Sequence, residues 1–354
     1  MTSFFSEVAL QQALECWQRA APCLGSNVSV MDAKGNYWHG ASGYVRPDTN
    51  ERLQPLRMCY VYSITKVFTA IRILQLVDEG KLKLDEKVSV YLGELGLSAN
   101  ITLRQLLNHT SGIPDYTSLV EYDPAVRRHP GQPWTFEETL SLCCGKKADF
   151  LPGEGWAYSN TGYMLLARLI EITTGQSYSQ TITERIIEPL GLHNTRVATE
   201  IDKGLLTPGY SRKLNDDERL EDITPIYHPG WCQTGLLAST TEDISRLLIT
   251  LFNDEFINKL HLNEMCEAVS IKRSAGSFYC SPCYGLGLMI DPDWGNAGLY
   301  GHGGEGPGFN TWALYIPDKN GYWRVITVFC NTSMVGQPVH LVKDLLQVFR
   351  HHLT

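Results

Sequence analysis

The spacing of apolar residues divides the chain into strand-rich ends and a helix-rich middle. The pattern predicts a β-hairpin over 27–45, with its turn at 32–36, and a short strand over 58–62. After about residue 280, runs such as FNTWALYIP and WRVITVFCN again predict strands. Between these ends, apolar residues recur at helical spacing, and the segments end at glycine or at a proline-containing turn.

Helices are also predicted at both ends of the chain. Leu10, Leu14 and Trp17 recur at helical spacing, and the segment HLVKDLLQVFRHHL closes the sequence. The pattern therefore predicts an α/β (α+β) fold in which both chain ends build one domain and a mostly helical domain is inserted. We place the α/β domain at 1–62 plus 275–354 and the helical domain at 63–274, with a ligand-binding cleft at their junction.

Composition narrows the class of protein. The chain has 354 residues, of which 43% are hydrophobic, and a net charge of −8, which argues against disorder and against a nucleic-acid-binding face. The ten cysteines have no repeating spacing, so we expect buried thiols in a reduced compartment. The start lacks a cationic leader and no apolar run is long enough to span a bilayer, so we predict a cytoplasmic protein with no membrane partner.

The first candidate for chemistry is Ser63-Ile64-Thr65-Lys66, an S-x-x-K at the junction of a strand and a helix. Residues three apart share a helix face, so the Ser63 hydroxyl and the Lys66 ammonium can meet. A serine becomes a nucleophile when a neighbouring base takes its proton, and N–H groups at a helix start can stabilise an oxyanion. The motif alone also arises by chance about once in a chain of this length.

The second candidate is Tyr158-Ser159-Asn160, a Y-x-N that follows a glycine-rich turn. In an extended segment residues two apart point the same way, so Tyr158 and Asn160 can enter one cleft. A neighbouring ammonium favours the phenolate form of the tyrosine, which can then act as general base and acid. The alternative is a packed tyrosine beside a loop-capping asparagine.

The third candidate is the glycine-dense run 300–308, YGHGGEGPG. Glycines let a substrate approach a strand closely, His302 is expected to face the cleft, and the amides after it can complete an oxyanion hole. The alternative is a glycine-rich turn with a surface histidine. The run is not a phosphate loop, because no GK[ST] closes it.

Other candidates are weaker. Cys280 and Cys283 form a C-x-x-C without a second pair at zinc spacing, so a chance pair is favoured. We interpret His109 as a structural hydrogen-bonding residue, and His351 and His352 as partners of the C-terminal dipole of the last helix. The sequence predicts no metal site and no cofactor.

The chain carries the motifs S-x-x-K, Y-x-N and H-x-G in this order. In this respect it resembles the serine β-lactamase and penicillin-binding-protein superfamily, in its class C-like branch. Further similarity lies in LRQLLNHTSGIPDY, PGEGWAYSNTGYMLLARLIEITTG, EPLGLHNTRV and GLLASTTEDISRLL. The resemblance covers residues from about 25 to 350. It implies a β-lactamase/transpeptidase-like fold: an antiparallel sheet flanked by N- and C-terminal helices, with the active site at the domain junction.

The resemblance implies roles for the motif residues. Ser63 is expected to be the acylated nucleophile, Lys66 its proton partner, and Tyr158 the general base and acid. The reaction would be acyl transfer through a serine ester, followed by attack of water.

The resemblance also implies residues that bind the substrate or the oxyanion. These are Asn160, His302, Gly303, Gly304 and Glu305. Asn160 is expected to contact the substrate amide, and His302 takes the place of the lysine in the family's K-T-G strand. The backbone amides of Ser63 and Glu305 would form the oxyanion hole.

Two residues of the third motif bear on the substrate. Histidine in place of lysine is similar to family members that are esterases, D-aminopeptidases or D-amino acid amidases, because neutral histidine attracts a carboxylate less. Glu305 would favour a substrate ammonium; the alternative is a solvent-facing acid at a turn.

We therefore predict a cofactor-free serine hydrolase that cleaves a small amide or peptide. The alternatives are a carboxylesterase or an acyltransferase on the same machinery, which would take a small ester or a second acyl acceptor. More remote are a non-catalytic binding protein and a β-lactamase. Selectivity is expected from loops at about 115–135 and 205–232, which carry the aromatic residues Tyr116, Tyr122, Trp134, Tyr210, Tyr227 and Trp231. The sequence gives no oligomeric state.

Overall fold

The computed structural model describes most of the chain. The described residues are 6–21, 23–93, 95–96, 100–144, 146–215, 217–253, 256–274, 277–333 and 338–350.

The helices and strands follow the order that the sequence pattern predicts. The α-helices are Glu7–Ala20 (α1), Thr65–Asp78 (α2), Val88–Leu92 (α3), Leu103–Leu107 (α4), Tyr122–Arg128 (α5), Phe136–Cys144 (α6), Asn160–Thr174 (α7), Tyr178–Ile182 (α8), Thr241–Asn253 (α9), Lys259–Cys266 (α10) and Val339–Arg350 (α11). The strands are Gly25–Asp32 (β1), Tyr37–Gly43 (β2), Cys59–Tyr60 (β3), Arg196–Val197 (β4), Tyr210–Ser211 (β5), Glu221–Asp222 (β6), Leu237–Ser239 (β7), Val269–Ser270 (β8), Cys283–Tyr284 (β9), Met289–Asp291 (β10), Leu299–Gly306 (β11), Phe309–Pro317 (β12) and Trp323–Cys330 (β13).

Eight strands form one antiparallel sheet in the order β2-β1-β13-β12-β11-β10-β9-β8. The two chain ends meet in it, because β1 pairs with β13 from Ser26↔Cys330 to Asp32↔Arg324. β1 and β2 form the predicted hairpin. Strands from both ends of the sequence therefore build one sheet, as the distribution of strand patterns predicts.

Helices cover both faces of this sheet. Ile326 and Val328 on β13 pack in one cluster with α1 and α11 residues such as Leu14 and Leu345. The alternating Val325 packs in the other cluster, on the face that α9 covers. The antiparallel sheet flanked by N- and C-terminal helices is thus confirmed.

The middle of the chain is mostly helical, as predicted. α2 is its central helix, with every residue of 65–74 buried, and it packs on α7 and α8. Two elements within the predicted inserted segment 63–274 nevertheless belong with the large sheet: α9 packs on β1, β12 and β13, and β8 is its edge strand. The domain boundaries at 62/63 and 274/275 stay a prediction.

Three segments converge where the candidate nucleophile lies. β3 pairs with β7 and leads through a 3₁₀ turn, Tyr62–Ile64, into α2. β11 passes directly beside this turn. Tyr62 has a φ of 44°, a left-handed conformation that is uncommon for a bulky residue. The turn that presents Ser63 is therefore held in a strained shape by its neighbours.

Candidate active site

Ser63 and Lys66 meet at the start of α2. Ser63 lies in the 3₁₀ turn, and Lys66 follows in the first turn of the helix. Lys66 Nζ donates a hydrogen bond to Ser63 Oγ over 3.1 Å. The S-x-x-K spacing therefore brings the hydroxyl and the amine together on one helix face, as expected.

Lys66 is buried, with 1% of its surface exposed. Burial lowers the pKa of its ammonium to about 8, while the negative charge of Asp115 acts to raise it. Nζ donates a second hydrogen bond to Asn160 Oδ1 over 2.7 Å and lies 4.9 Å from the ring centroid of Tyr158. Lys66 therefore exchanges its proton much nearer neutral pH than an exposed lysine.

Tyr158 is half-buried, and its hydroxyl is out of contact with solvent. Within the described part of the chain this hydroxyl makes no hydrogen bond, although it lies close enough to Ser63 for that residue to lower its pKa. Burial outweighs this influence and raises the pKa of Tyr158 above that of an ordinary phenol. The expectation of a favoured phenolate is therefore wrong, because the buried anion would lose its solvation.

Asp115 belongs to the site, although it is not among the residues predicted from the sequence. Its Oδ2 accepts a hydrogen bond from Asn160 Nδ2 over 3.0 Å, and its Oδ1 accepts one from the Asn160 backbone N–H over 3.2 Å. Because Asp115 holds the amide nitrogen, the Asn160 oxygen faces Lys66. The sequence signal for Asp115 is that of a cap, since it accepts from Thr117 N at the start of a 3₁₀ turn.

His302 lies on the face of β11 that meets the Ser63 turn, two residues before Gly304, but its side chain does not line the cavity beside Ser63. The residue is fully buried, and its Nδ1 hydrogen-bonds to the Gly303 carbonyl oxygen, which requires a proton on Nδ1. Nε2 therefore accepts from the Tyr284 hydroxyl over 2.8 Å. Burial lowers the pKa of His302 to about 3, so the ring is neutral. β11 places this side chain in an aromatic cluster with Tyr158 and Tyr284.

His109 acts as a hydrogen-bonding residue of the fold, in line with its interpretation from the sequence. Its Nδ1 accepts from Ser159 N–H over 3.1 Å, and its carbonyl oxygen accepts from Ala157 N–H over 3.1 Å. Burial lowers its pKa well below the ordinary value, so the ring is neutral. The ring centroid lies 4.2 Å from that of Tyr158. His109 therefore holds Tyr158 through the backbone on both sides and through ring contact.

β11 runs against the turn that carries Ser63. A Cβ atom at Gly304 would lie 2.1 Å from the Val61 carbonyl oxygen and 3.0 Å from the Ser63 nitrogen. Glu305 follows and lines the cavity beside Ser63. The predicted oxyanion donors, the N–H groups of Ser63 and Glu305, thus belong to adjoining segments, whereas Gly303 packs against Trp312.

A cavity of about 420 Å³ opens beside Ser63. Both predicted loops contribute to its wall, through residues that include Tyr116, Tyr122, Asp123, Lys213, Leu214 and Tyr227. Trp134 and Trp231 instead pack edge to face, with ring centroids 5.5 Å apart, and both contact the Tyr122 ring. The aromatic residues of these loops therefore form both the wall and its support.

The remaining sequence candidates lie elsewhere. Cys280 is exposed and Cys283 is buried, and both are free thiols. Within the described ranges, His, Cys, Asp and Glu side chains form no group of three or more that could hold a metal ion. No α-helix in these ranges has the length and apolar character needed to cross a membrane. His351 and His352 lie outside the described residues.

The sequence matches the family model described as Beta-lactamase over residues 15–345. The chain belongs to the Beta-lactamase family. Penicillin-binding protein 4* of Bacillus subtilis (strain 168) is 30% identical over 311 residues, which cover 82% of this chain and 66% of that protein. The chain thus spans about two thirds of this curated relative, and it spans 34% of the Staphylococcus aureus (strain MW2) Protein flp.

Solved structures of related proteins share the fold of this Beta-lactamase family member over almost the whole chain. The D-stereospecific amidohydrolase from Streptomyces sp. is 30% identical, with a TM-score of 0.83, and the match covers 96% of this chain and 98% of that one. The D-amino acid amidase from Ochrobactrum anthropi SV3 complexed with D-phenylalanine is 25% identical, with a TM-score of 0.83 and coverage of 97% and 98%. The predicted superfamily and fold are confirmed, and these names agree with the prediction of a hydrolase.

Proposed function

We propose that this protein is a serine hydrolase that cleaves a small amide or peptide through an acyl ester on Ser63. The observation that carries the proposal is the 3.1 Å contact between Ser63 Oγ, at the cavity, and Nζ of the buried Lys66. A lysine with a pKa of about 8 is partly neutral near physiological pH and can take the Ser63 proton.

The electrostatics distinguish the roles of Lys66 and Tyr158. Lys66 is the proton acceptor in this proposal, because its pKa is lowered, whereas the raised pKa of Tyr158 makes its phenolate costly. Ser63 Oγ attacks the substrate carbonyl carbon, and the oxyanion accepts from the Ser63 and Glu305 amides. Lys66 passes the proton to the leaving amine, while the Tyr158 hydroxyl donates a hydrogen bond in the cleft. Water then attacks the serine ester by the reverse proton path.

A covalent probe tests the proposal directly. We expect a fluorophosphonate to add to Ser63, shown by a mass shift on the peptide that contains it, and a p-nitrophenyl ester to be hydrolysed. Ser63→Ala should abolish both. Ser333 also lines the cavity, so Ser333→Ala is the matched control and should keep the adduct. A wild-type protein without the Ser63 adduct would overturn the enzyme proposal.

Esters and lactams remain competing substrates for the same groups. A panel of D- and L-amino acid amides, short-chain esters and nitrocefin ranks the amidase, carboxylesterase and β-lactamase alternatives by kcat/KM. An acyltransferase would show faster loss of the acyl group when an alcohol or amine acceptor is added. The cytoplasmic location also stays our proposal, supported by the free thiols of the described cysteines.

Acidic side chains at the cavity favour a substrate with a free amino group. Glu305 and Asp123 both line the cavity, and Lys213 is the cation in its described lining, so the acidic side chains outnumber the basic one. The amidase relative was solved with D-phenylalanine, an amino acid. A carboxylate near the reacting carbonyl attracts an ammonium and repels a carboxylate. We therefore propose a small amino acid amide or short peptide with a free N-terminus.

We expect N-acetylation of the substrate to lower kcat/KM by about tenfold or more, through the loss of roughly one charge-assisted contact. Glu305→Gln should raise KM for the free amine substrate and leave the acetylated one nearly unchanged, because the backbone amide of residue 305 is retained. Alanine amide and its N-acetyl form are the pair to compare in steady-state kinetics. Equal turnover of the two by the wild-type protein would contradict this substrate class.

The pH dependence of hydrolysis tests which group accepts the proton. The neutral form of Lys66 is active, so kcat/KM should rise with pH through about 8 and gain about tenfold between pH 7 and pH 9. Tyr158→Phe should lower the rate by about 10²-fold yet keep this rising limb. If the limb disappears in Tyr158→Phe, the tyrosine rather than the lysine is the base.

A further inference from the structure

Two thiols far apart in the sequence lie together where the chain passes from α1 into the large sheet. Cys23 precedes β1, and Cys330 ends β13, in register with Ser26. Both sulfur atoms lie 3.4 Å from the same Ser26 Oγ. The folded chain therefore places Cys23 and Cys330 around one hydroxyl group, although both are free.

The surroundings of the two thiols differ. Cys23 retains 8% exposure and lines a cavity of about 740 Å³, whose charged lining residues are Glu15, Arg19 and Arg52. Cys330 is fully buried behind it. Gln18 Nε2 donates to Cys23 Sγ over 3.3 Å, which favours a thiolate at Cys23. One thiol is thus reachable from a cavity, and the other is shielded beside it.

The acidities of the two groups match this asymmetry. A hydrogen bond from Cys330 is the main cause that lowers the pKa of the Cys23 thiol to about 7, against the effect of burial. Burial raises the pKa of Cys330 well above the ordinary value. A thiol of lowered pKa that lines a cavity, next to a protonated and fully buried thiol, suits a peroxide-reacting cysteine and its resolving partner.

We propose that Cys23 and Cys330 form a peroxide-responsive dithiol that closes to a disulfide. The Cys23 thiolate attacks one oxygen of a hydroperoxide, the O–O bond breaks, and Cys23 becomes a sulfenic acid. The departing hydroxide or alkoxide takes up from solvent the proton that Cys23 had released, and leaves as water or an alcohol. Cys330 sulfur then attacks Cys23 sulfur, the S–O bond breaks, and the Cys330 proton departs with the hydroxide as water. Two thiols lose two electrons in total, and the hydroperoxide gains them.

The disulfide would cross-link the N-terminal and C-terminal parts of the chain. Cys23 lies in the connection from α1 to β1, and Cys330 lies at the end of a central strand. A cross-link between positions so far apart in sequence restricts the unfolded chain strongly. We therefore expect oxidation to raise the thermal unfolding midpoint by a few degrees and to leave ester hydrolysis largely unchanged.

Peptide mapping after treatment with hydrogen peroxide tests the proposal. The expected product is a Cys23–Cys330 linked peptide, lighter by two hydrogen atoms and cleaved by dithiothreitol. Cys330→Ser should trap Cys23 as a sulfenic acid that dimedone labels, and Cys16→Ser, which removes an exposed thiol, is the matched control that should still form the bridge.

Each other outcome of this experiment is decisive. The proposal is overturned if both thiols can still be alkylated after peroxide treatment, or if Cys330 is instead linked to Cys59. It is also overturned if peroxide raises the unfolding midpoint of Cys23→Ser as much as that of the wild-type protein. Circular dichroism and ester hydrolysis of each reduced variant report whether it is folded. If Cys330→Ser does not fold, the wild-type peptide map and Cys23→Ser decide alone.

Discussion

Lys66→Met should lower kcat/KM for a p-nitrophenyl ester by about 10³-fold or more while the protein stays folded. Methionine is similar in length to lysine and fits an apolar site, but it cannot accept the Ser63 proton. The hydrogen bonds to Ser63 Oγ and to Asn160 Oδ1 are lost together. The loss should fall on kcat, because the cavity wall is unchanged.

The same substitution should keep or raise the free energy of unfolding. A buried ammonium costs several kcal/mol of solvation, whereas the unpaired Asn160 oxygen costs about 1–3 kcal/mol. Folding lowers the Lys66 pKa from 10.5 to about 8. The wild-type penalty is therefore fully present below pH 8, where lysine is charged in both states, and fades as pH rises toward 10.5. The gain in unfolding midpoint of Lys66→Met should follow this pH dependence.

Steady-state kinetics and thermal unfolding at several pH values check this prediction. Lys203 is exposed and pairs with Glu200, so Lys203→Met is a control that changes charge without touching the site. Near-normal turnover by Lys66→Met would assign the proton transfer to another group. A large loss of stability at neutral pH would mean that Lys66 is a structural residue and that its burial is not a cost.

The hydrophobic pattern predicts the fold well. Helices cover both faces of the sheet, and their long apolar faces leave a clear helical period in the sequence. The hairpin, the strands after residue 280 and the terminal helices are all present. The pattern does not show that α9 leaves the helical middle to cover the sheet, because its buried face has the same period whichever partner it meets. β8 likewise has too few residues to give a strand signal.

Motif spacing predicts the contact of Ser63 with Lys66, because S-x-x-K is a local helical relation. It does not predict how deeply β11 buries its side chains. His302 shares a strand face with Gly304, which meets the Ser63 turn, yet its ring is fully buried against Tyr284 and Tyr158. Asp115 also escapes a motif search, because its hydrogen bond to Asn160 joins positions 45 residues apart in sequence.

Desolvation is the quantity that sequence leaves out most completely. If only its neighbours are considered, the ammonium beside Tyr158 should lower the pKa of the phenol. In the structure, burial raises the pKa of Tyr158 instead. The same burial lowers the pKa of Lys66. One dry environment thus disfavours both charged forms: Tyr158 stays neutral, and Lys66 becomes neutral as the pH rises through about 8.

The close approach of β11 to the nucleophile gives the second large expected effect. A Cβ at Gly304 would lie 2.1 Å from the Val61 carbonyl oxygen, 2.7 Å from Thr311 Oγ1 and 3.0 Å from the Ser63 nitrogen. Two of these atoms are backbone, so the segment that carries Ser63 must shift. Misplacement of a reacting group by about 1 Å costs roughly 10²-fold in rate, and we expect Gly304→Ala to lose at least that in kcat/KM.

Gly303→Ala is the matched comparison on the same strand. Its Cβ would meet the Trp312 ring at 2.8 Å, which is a side chain and lies away from Ser63. We expect Gly303→Ala to lower the unfolding midpoint yet keep kcat/KM per folded molecule within a few-fold, as measured with an active-site titration by fluorophosphonate. Gly304→Ala should instead lose turnover even in its folded fraction, because β11 and the Ser63 turn share one backbone contact. Equal losses of kcat/KM in the two variants would contradict this prediction. They would show that β11 affects activity only through the stability of the fold, and not through its spacing from Ser63.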